Sequence, residues 1–420
     1  MNLVKTSVLS FIATVIKLLS VLVINKAVAI YIGPAGLALV GQFQNFIQLV
    51  MVAAQGAISS GVTKYTAEYG KDNERIPILF STAGKISLIS SVVVGIGVAI
   101  LSEFASLHFL KSIEYSYIFV IFGFTVVLFV INNLLLSILN GLKEIKTWVI
   151  INVIQSIYSL IFTTLLIVWL GLDGALIALV TNQSIILVIV VWMLKKHQVI
   201  KLESFKNAFD KPEAKKLIGF AAMAITSALT VPITHLVIRG YIGETLDWDQ
   251  AGYWQAIWYI STMYLMVVTT TLSVYYLPRL SELTDKSEIK KELIAGYRLL
   301  LPITILMAIT IFFLKDFIIW LLFTEEFAPM RELFMWQLIG DTIKLSSFLI
   351  GYILIAKAMV KIFIFKEIFI ALVFIFLSIY LVSLLGLVGV VVAYALTYLL
   401  NFIFLVIVYR RYNYQGGMRV

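Results

Sequence analysis

The chain has 420 residues, of which 61% are hydrophobic and only 13% charged, and a net charge of +9. A soluble domain carries about 25% charged residues, so this chain lacks the polar surface to face water and is not read as a soluble enzyme. With no cysteine there is no disulfide framework and no Cys-ligated metal. His108, His197 and His235 are too scattered in sequence to mark a metal cluster, and no cofactor is expected.

A bilayer core needs roughly 20 apolar residues per helical crossing. Apolar runs bounded by charges, Gly and Pro predict helices at 7–31, 35–64, 79–103, 117–140, 148–170 and 174–194. A second set is predicted at 216–239, 251–277, 293–314, 331–357, 361–384 and 387–408, with a short interfacial helix in 317–327. The first run contains Lys17 and lacks a small-x-small cleavage site, so it reads as a membrane helix rather than a removable signal. The expected fold class is an all-α polytopic membrane protein of about twelve spans, in two pseudo-symmetric six-helix lobes around a central cavity. The lobes are predicted to occupy 1–200 and 201–420.

An even number of spans puts both termini on one side. The connections on that side hold 23 Lys and Arg, whereas the opposite ones hold four: Lys111, Arg239, Lys315 and Arg331. By the positive-inside rule both termini are cytoplasmic. The charge thus speaks for orientation, and no nucleic-acid partner is expected. The longest cytoplasmic connection, 195–215, joins the lobes, and its lysines suit anionic membrane lipids.

The halves echo one another at a shift of about 215 residues. LGLDGALIAL (170–179) matches LGLVGVVVAY (385–394), aligning Gly171 with Gly386 and Gly174 with Gly389, and Lys146 falls opposite Lys361. Six spans per copy give both copies the same orientation, and hence a pseudo-twofold axis along the membrane normal.

Charges within spans are expensive in lipid. Lys85 and Arg298 lie near the cytoplasmic edge and Lys26 near the other, so these three can snorkel. Lys17, Asp341 and Lys344 lie deeper. Asp341 and Lys344 are three apart, share a helix face with Gln337, and are expected to form an internal ion pair. Lys17 has no acid nearby in sequence, and an anionic ligand or a water-filled cavity accounts for it. Lys17 and Lys26 lie on opposite sides of a straight helix. In the second span, Asn45, Gln48, Gln55 and Ser59 fall within an arc of about 80°, consistent with a wet lumen or with a helix–helix hydrogen-bond seam. The eighth span offers Trp254, Trp258 and Tyr259 for sugar stacking, although interfacial aromatic belts look alike. Pro232 is a candidate kink in the seventh span.

GPAGLALVGQFQ (33–44), GVTKYTAEY (61–69), SVYYLPRLSELTDK (273–286) and MRELFMWQLIGDTIKLSSFLIGYILIAKA (330–358) resemble the Wzx-type lipid-linked oligosaccharide flippases. The likeness is to the branch serving O-antigen and enterobacterial common antigen, and it runs from the first helix to the twelfth. It implies the fold of the multidrug/oligosaccharidyl-lipid/polysaccharide exporter (MOP) superfamily. It also implies an oligosaccharide carried on undecaprenyl pyrophosphate as substrate, with a polysaccharide polymerase and a chain-length regulator as protein partners. Under it, Lys17 and Lys26 match basic positions of the first helix, Asp341 and Lys344 match an acid–base pair of the tenth, and Arg298 stands where relatives carry Lys. Together with Lys85 and the polar groups of the second span, these make the candidate cavity residues Lys17, Lys26, Asn45, Gln48, Gln55, Lys85, Arg298, Asp341 and Lys344.

Two other functions compete. A cation-coupled multidrug antiporter on the same fold needs a deep acid, and Asp341 is the one present. A glycan polymerase or ligase needs a large periplasmic platform, which the short outward loops do not provide. No Walker loop or GxSxG motif occurs.

Overall fold

The computed structural model describes residues 3–195, 197–219, 222–272, 276–283, 285–357 and 359–414. Lys196 of the basic connection, and Ser273–Tyr275 and Thr284 of the SVYYLPRLSELTDK stretch, lie outside the described residues. Among the described residues there is no β-strand.

The helices used below are α1 (Leu3–Tyr31), α2 (Gly33–Ala54), α3 (Ser59–Tyr69), α4 (Ile76–Ile100), α5 (Ser116–Gly141) and α6 (Ile145–Leu194). They continue with α7 (Lys211–Gly219), α8 (Ala222–Thr245), α9 (Trp248–Thr271), α10 (Lys286–Phe313) and α11 (Lys315–Leu322). The last three are α12 (Phe334–Ala356), α13 (Val360–Leu385) and α14 (Val388–Tyr414). Their ends follow local chemistry. Proline opens α2 and α4, where its missing N–H has no intrahelical partner to lose. Asp247 and Asp285 cap α9 and α10, accepting the N–H groups of Gln250 and Glu288. Pro232 lies within the helical run of α8.

Ten helices are long and apolar enough to cross a bilayer. One of them, α6, is 50 residues long and turns at Gly171 (φ 57°, ψ −128°), so it supplies two spans. The 24-residue α9 also has the length of a span but is richer in polar and aromatic groups. Among the described residues this makes twelve spans. The chain is a multi-pass membrane protein.

The helix expected over 35–64 is two helices. Gly56 and Ala57 both adopt left-handed φ, 59° and 54°, which an α-helix cannot contain. The Ser59 hydroxyl donates to Gln55 Oε1 across the break, at 2.7 Å. Asn45, Gln48, Gln55 and Ser59 therefore do not form one stripe. Arg239 is also displaced from its expected outward loop: α8 runs on to Thr245 and buries it to 1% exposure.

The chain packs as two compact units, Met1–Ile32 with Leu39–Ile233, and Gly33–Ala38 with Thr234–Val420. Their limits thus fall at 233/234, where counting six spans per lobe places the division at 200/201. In the first unit α1 and α5 pack on α6, and α4 packs on α5. The α4–α5 crossing is a glycine contact, because a Cβ at Gly95 would lie 2.3 Å from the Gly123 carbonyl oxygen. The basic connection is docked on this unit. The Phe205 ring stacks on Phe80, Ser81 Oγ donates to the Phe205 carbonyl at 3.0 Å, and the Asp210 N–H donates to Thr82 Oγ1 at 3.1 Å. On α7, Glu213 is buried and accepts from Tyr69 at 2.9 Å and Lys216 at 2.9 Å. Lys216 also donates to the Tyr69 hydroxyl at 3.0 Å, and its hydrogen bonds to Tyr69 and Glu213 hold the ammonium above the usual lysine range.

In the second unit α12 is central, with α9, α10 and α14 against it, and α13 packs on α14.

The repeat is visible in the backbone. Gly386 has φ 61° and ψ −148°, close to the values of Gly171, and precedes α14 as Gly171 precedes the second arm of α6. Three residues further on, a Cβ at Gly174 would lie 2.0 Å from the Leu166 carbonyl, and one at Gly389 would lie 2.2 Å from that of Leu381. Before these spans, the Glu144 N–H donates to the Leu139 carbonyl and the Met359 N–H to that of Leu354. All of these pairs keep the 215-residue shift.

Candidate functional site

The polar residues of the second unit converge because each helix presents them at helical spacing. On α9, Trp254, Trp258 and Ser261 recur at i, i+4 and i+7, and on α12 so do Gln337, Asp341 and Lys344. His235 and Arg239 on α8, and Tyr394 and Tyr398 on α14, are i, i+4 pairs.

Asp341 is fully buried. Ser261 Oγ donates to both of its oxygens at 2.6 Å. Tyr264 donates to Oδ2 at 2.7 Å, Tyr394 to Oδ1 at 2.7 Å, and the Gln337 amide to Oδ1 at 3.3 Å. The hydroxyl contacts have the short lengths of O–H···O⁻ bonds, and the donor set matches an ionised carboxylate, which only accepts.

The expected ion pair with Lys344 is absent: among the described residues no salt bridge joins the two. Lys344 stands in a cage of rings instead. Its ammonium lies 5.0 Å from the centroid of Trp258, 5.2 Å from Tyr398, 5.6 Å from Tyr394 and 5.9 Å from Phe348. The negative faces of the rings hold the cation without neutralising it. Donors on three helices outcompete a neighbour one turn away on the same helix.

The aromatic column continues beyond the cage. His235 meets Trp258 edge-on at 4.2 Å and Trp254 at 5.2 Å. Arg239 lies 5.5 Å from the Trp254 ring and donates to Gln255 Oε1. Tyr259, half-buried, is close enough to Arg239 to feel its charge. Arg239, His235, Tyr394 and Tyr398 were not nominated by the sequence. The i, i+4 pairing of His235 with Arg239 was the available signal, whereas the tyrosines sit in a span that reads as plain apolar.

The structure thus brings Trp254, Trp258, Asp341 and Lys344 together in one unit. Of the other expected cavity residues, Arg298 belongs to the same unit, and Lys17, Lys26, Asn45, Gln48, Gln55 and Lys85 belong to the first. Arg298 is exposed on α10. Lys17 is exposed and Lys26 half-buried on an unbroken α1. Asn45 is buried, Gln48 exposed, and Gln55 occupied by Ser59. Lys85 donates to the Asn207 carbonyl at 2.6 Å, so it fastens the basic connection. Lys85→Met is expected to weaken that docking by about 1 kcal/mol and to speed proteolysis between Lys201 and Lys211, while leaving transport intact.

Gly340 is the access point for Tyr394, since a Cβ there would lie 2.4 Å from its ring. Gly340→Ala is expected to push Tyr394 off Asp341 and lower stability by about 1–3 kcal/mol, read as a lower melting temperature in detergent.

Comparison with known proteins agrees with this architecture. A family model described as "Polysaccharide biosynthesis protein" matches residues 3–284. The chain is 30% identical over 368 residues to the Lipid III flippase of Escherichia coli (strain K12), covering 88% of each protein, and equally so to that of Shigella flexneri. Among solved structures, an inward-facing multidrug resistance MATE family transporter of the MOP superfamily superposes with a TM-score of 0.74, at 15% identity over 96% of each chain. Lipid II flippase MurJ, in its inward closed conformation, gives 0.72 at 17% identity, over 97% of this chain and 87% of that one. The chain therefore shares the all-helical, multi-pass membrane fold of these transporters. It belongs to the polysaccharide biosynthesis protein family.

Proposed function

We propose that this protein is a flippase that moves an oligosaccharide linked to undecaprenyl pyrophosphate from the cytoplasmic to the periplasmic leaflet of a bacterial inner membrane. It does so by alternating exposure of its binding groups to the two sides, with both termini in the cytoplasm, and it makes and breaks no covalent bond. The observation that carries this reading is the caged Lys344. A cation held by rings at mid-span, with no acid paired to it, suits a phosphorylated guest. Trp258 and its neighbouring rings offer the flat faces on which sugars stack. A pyrophosphate and a sugar cannot cross hydrocarbon without such partners, since each unpaired polar group costs about 2–7 kcal/mol. The 30% identity to a Lipid III flippase supports the same substrate class.

The rival reading, a cation-coupled small-molecule antiporter, depends on Asp341 receiving a cation. Four protein donors already occupy its oxygens, which weighs against it. Strains each lacking one flippase, complemented with this gene and scored for the glycan that returns, test the proposal. Drug efflux with no glycan restored would favour the antiporter.

A further inference from the structure

Asp341 and Lys344 are one turn apart in a poorly hydrated helix, where opposite charges attract strongly. That they do not pair calls for a cause, and the hydrogen bonds supply one. An ionised carboxylate has about four acceptor sites. Four donors meet the two oxygens of Asp341, the Ser261 proton shared between both and one each from Tyr264, Tyr394 and Gln337, which is as many as the acceptor sites.

Tyr394 has a double part. Its hydroxyl donates to Asp341 at 2.7 Å while its ring lies 5.6 Å from the Lys344 ammonium, so one side chain satisfies the acid and faces the base. Tyr394 is itself fixed: it is buried to 1% exposure, against Gly340 on one side and the Phe374 ring, at 5.8 Å, on another. Two other titratable groups stand near the cage. His235 lies across Trp258, and Glu367, which is close to Tyr398, is salt-bridged to Lys366.

We propose that the hydroxyl shell around Asp341 is an electrostatic screen. It keeps this carboxylate from neutralising Lys344, so that the ammonium stays available to an anionic group of the guest, and Tyr394 is the positioning residue that maintains the separation. The use of the free ammonium rests on the flippase reading; the screen itself does not.

Tyr394→Phe keeps the ring and deletes one donor. The freed acceptor site draws Lys344 into a direct pair. Two readouts follow in protein purified into nanodiscs and in complemented cells. Modification of Lys344 by a small amine-reactive ester, measured by mass spectrometry, is expected to fall at least fivefold, and glycan export to fall with it. Adding Asp341→Asn to Tyr394→Phe removes the competing charge and is expected to restore both readouts to the level of Asp341→Asn alone. A merely structural tyrosine would give no rescue, because the second change would add to the damage of the first. Unchanged Lys344 modification in Tyr394→Phe, or a double variant no better than Tyr394→Phe, overturns the screen. If Tyr394→Phe does not accumulate, Tyr264→Phe with and without Asp341→Asn makes the same comparison. A wild-type protein that restores no glycan while the labelling pattern holds would remove the flippase reading and leave the screen standing.

Discussion

Lys344→Ala is expected to reduce polysaccharide output to near background in a complemented flippase-null strain, with protein abundance unchanged. A hydrogen bond to a charged group contributes about 1.5–3 kcal/mol, which corresponds to roughly a 10- to 100-fold loss of affinity. The fold should survive, because the ammonium has no acid partner to be orphaned and the four rings of its cage can close over an alanine. Arg239 differs in this respect: it is fully buried and held by Gln255 and Trp254, so its removal should damage folding and transport together. Lys344→Arg should retain part of the output, since charge persists while the cage is overfilled. Normal glycan from a normally abundant Lys344→Ala protein would exclude this residue from the substrate path.

The second large effect is on assembly. Gly252→Val should prevent or severely reduce accumulation of folded protein. A Cβ at this position would lie 2.0 Å from the carbonyl oxygen of Pro34 and 2.4 Å from its carbon. The obstacle is backbone, which cannot rotate away as a side chain can. The first turn of α2 is also tied to α9 by the Ala35 N–H donating to Asp249 at 3.0 Å, and separating the two helices would break that bond. Overpacking typically costs about 1–3 kcal/mol and occasionally more; this contact belongs at the upper end. Gly351→Ala is the matched control, with its nearest neighbour, Leu405 Cδ1, at 3.8 Å, and should melt within about 0.5 kcal/mol of wild type. Equal melting temperatures for the two variants would show that the close approach does not hold the unit together.

Much of the architecture was legible in the residues because lipid imposes a simple rule: span length and charge placement follow from hydrocarbon thickness. The duplication was legible because Gly171, Gly174, Gly386 and Gly389 are needed by backbone geometry and therefore recur at one offset. The site was readable only in part. Asp341, Lys344, Trp254 and Trp258 stood out as polar or aromatic groups within spans, but choosing partners needs the third dimension. Spacing on one helix suggested an Asp341–Lys344 pair, whereas donors from α9 and α14 decide the matter. Arg239 reads as a loop residue because a charge at the end of an apolar run looks like a boundary. Lys85 reads as a membrane cation because nothing in its own helix reveals that the 195–215 connection folds back onto it.

The paired bends at Gly171 and Gly386 bear on how such a protein diversifies. At each, the following helix leaves through a glycine torsion and a second glycine seated against a carbonyl. The lipid-facing surface of these hairpins is thereby relieved of most of the steering. It can drift with bilayer thickness and lipid type from one host to another while the inward-turned residues keep their register.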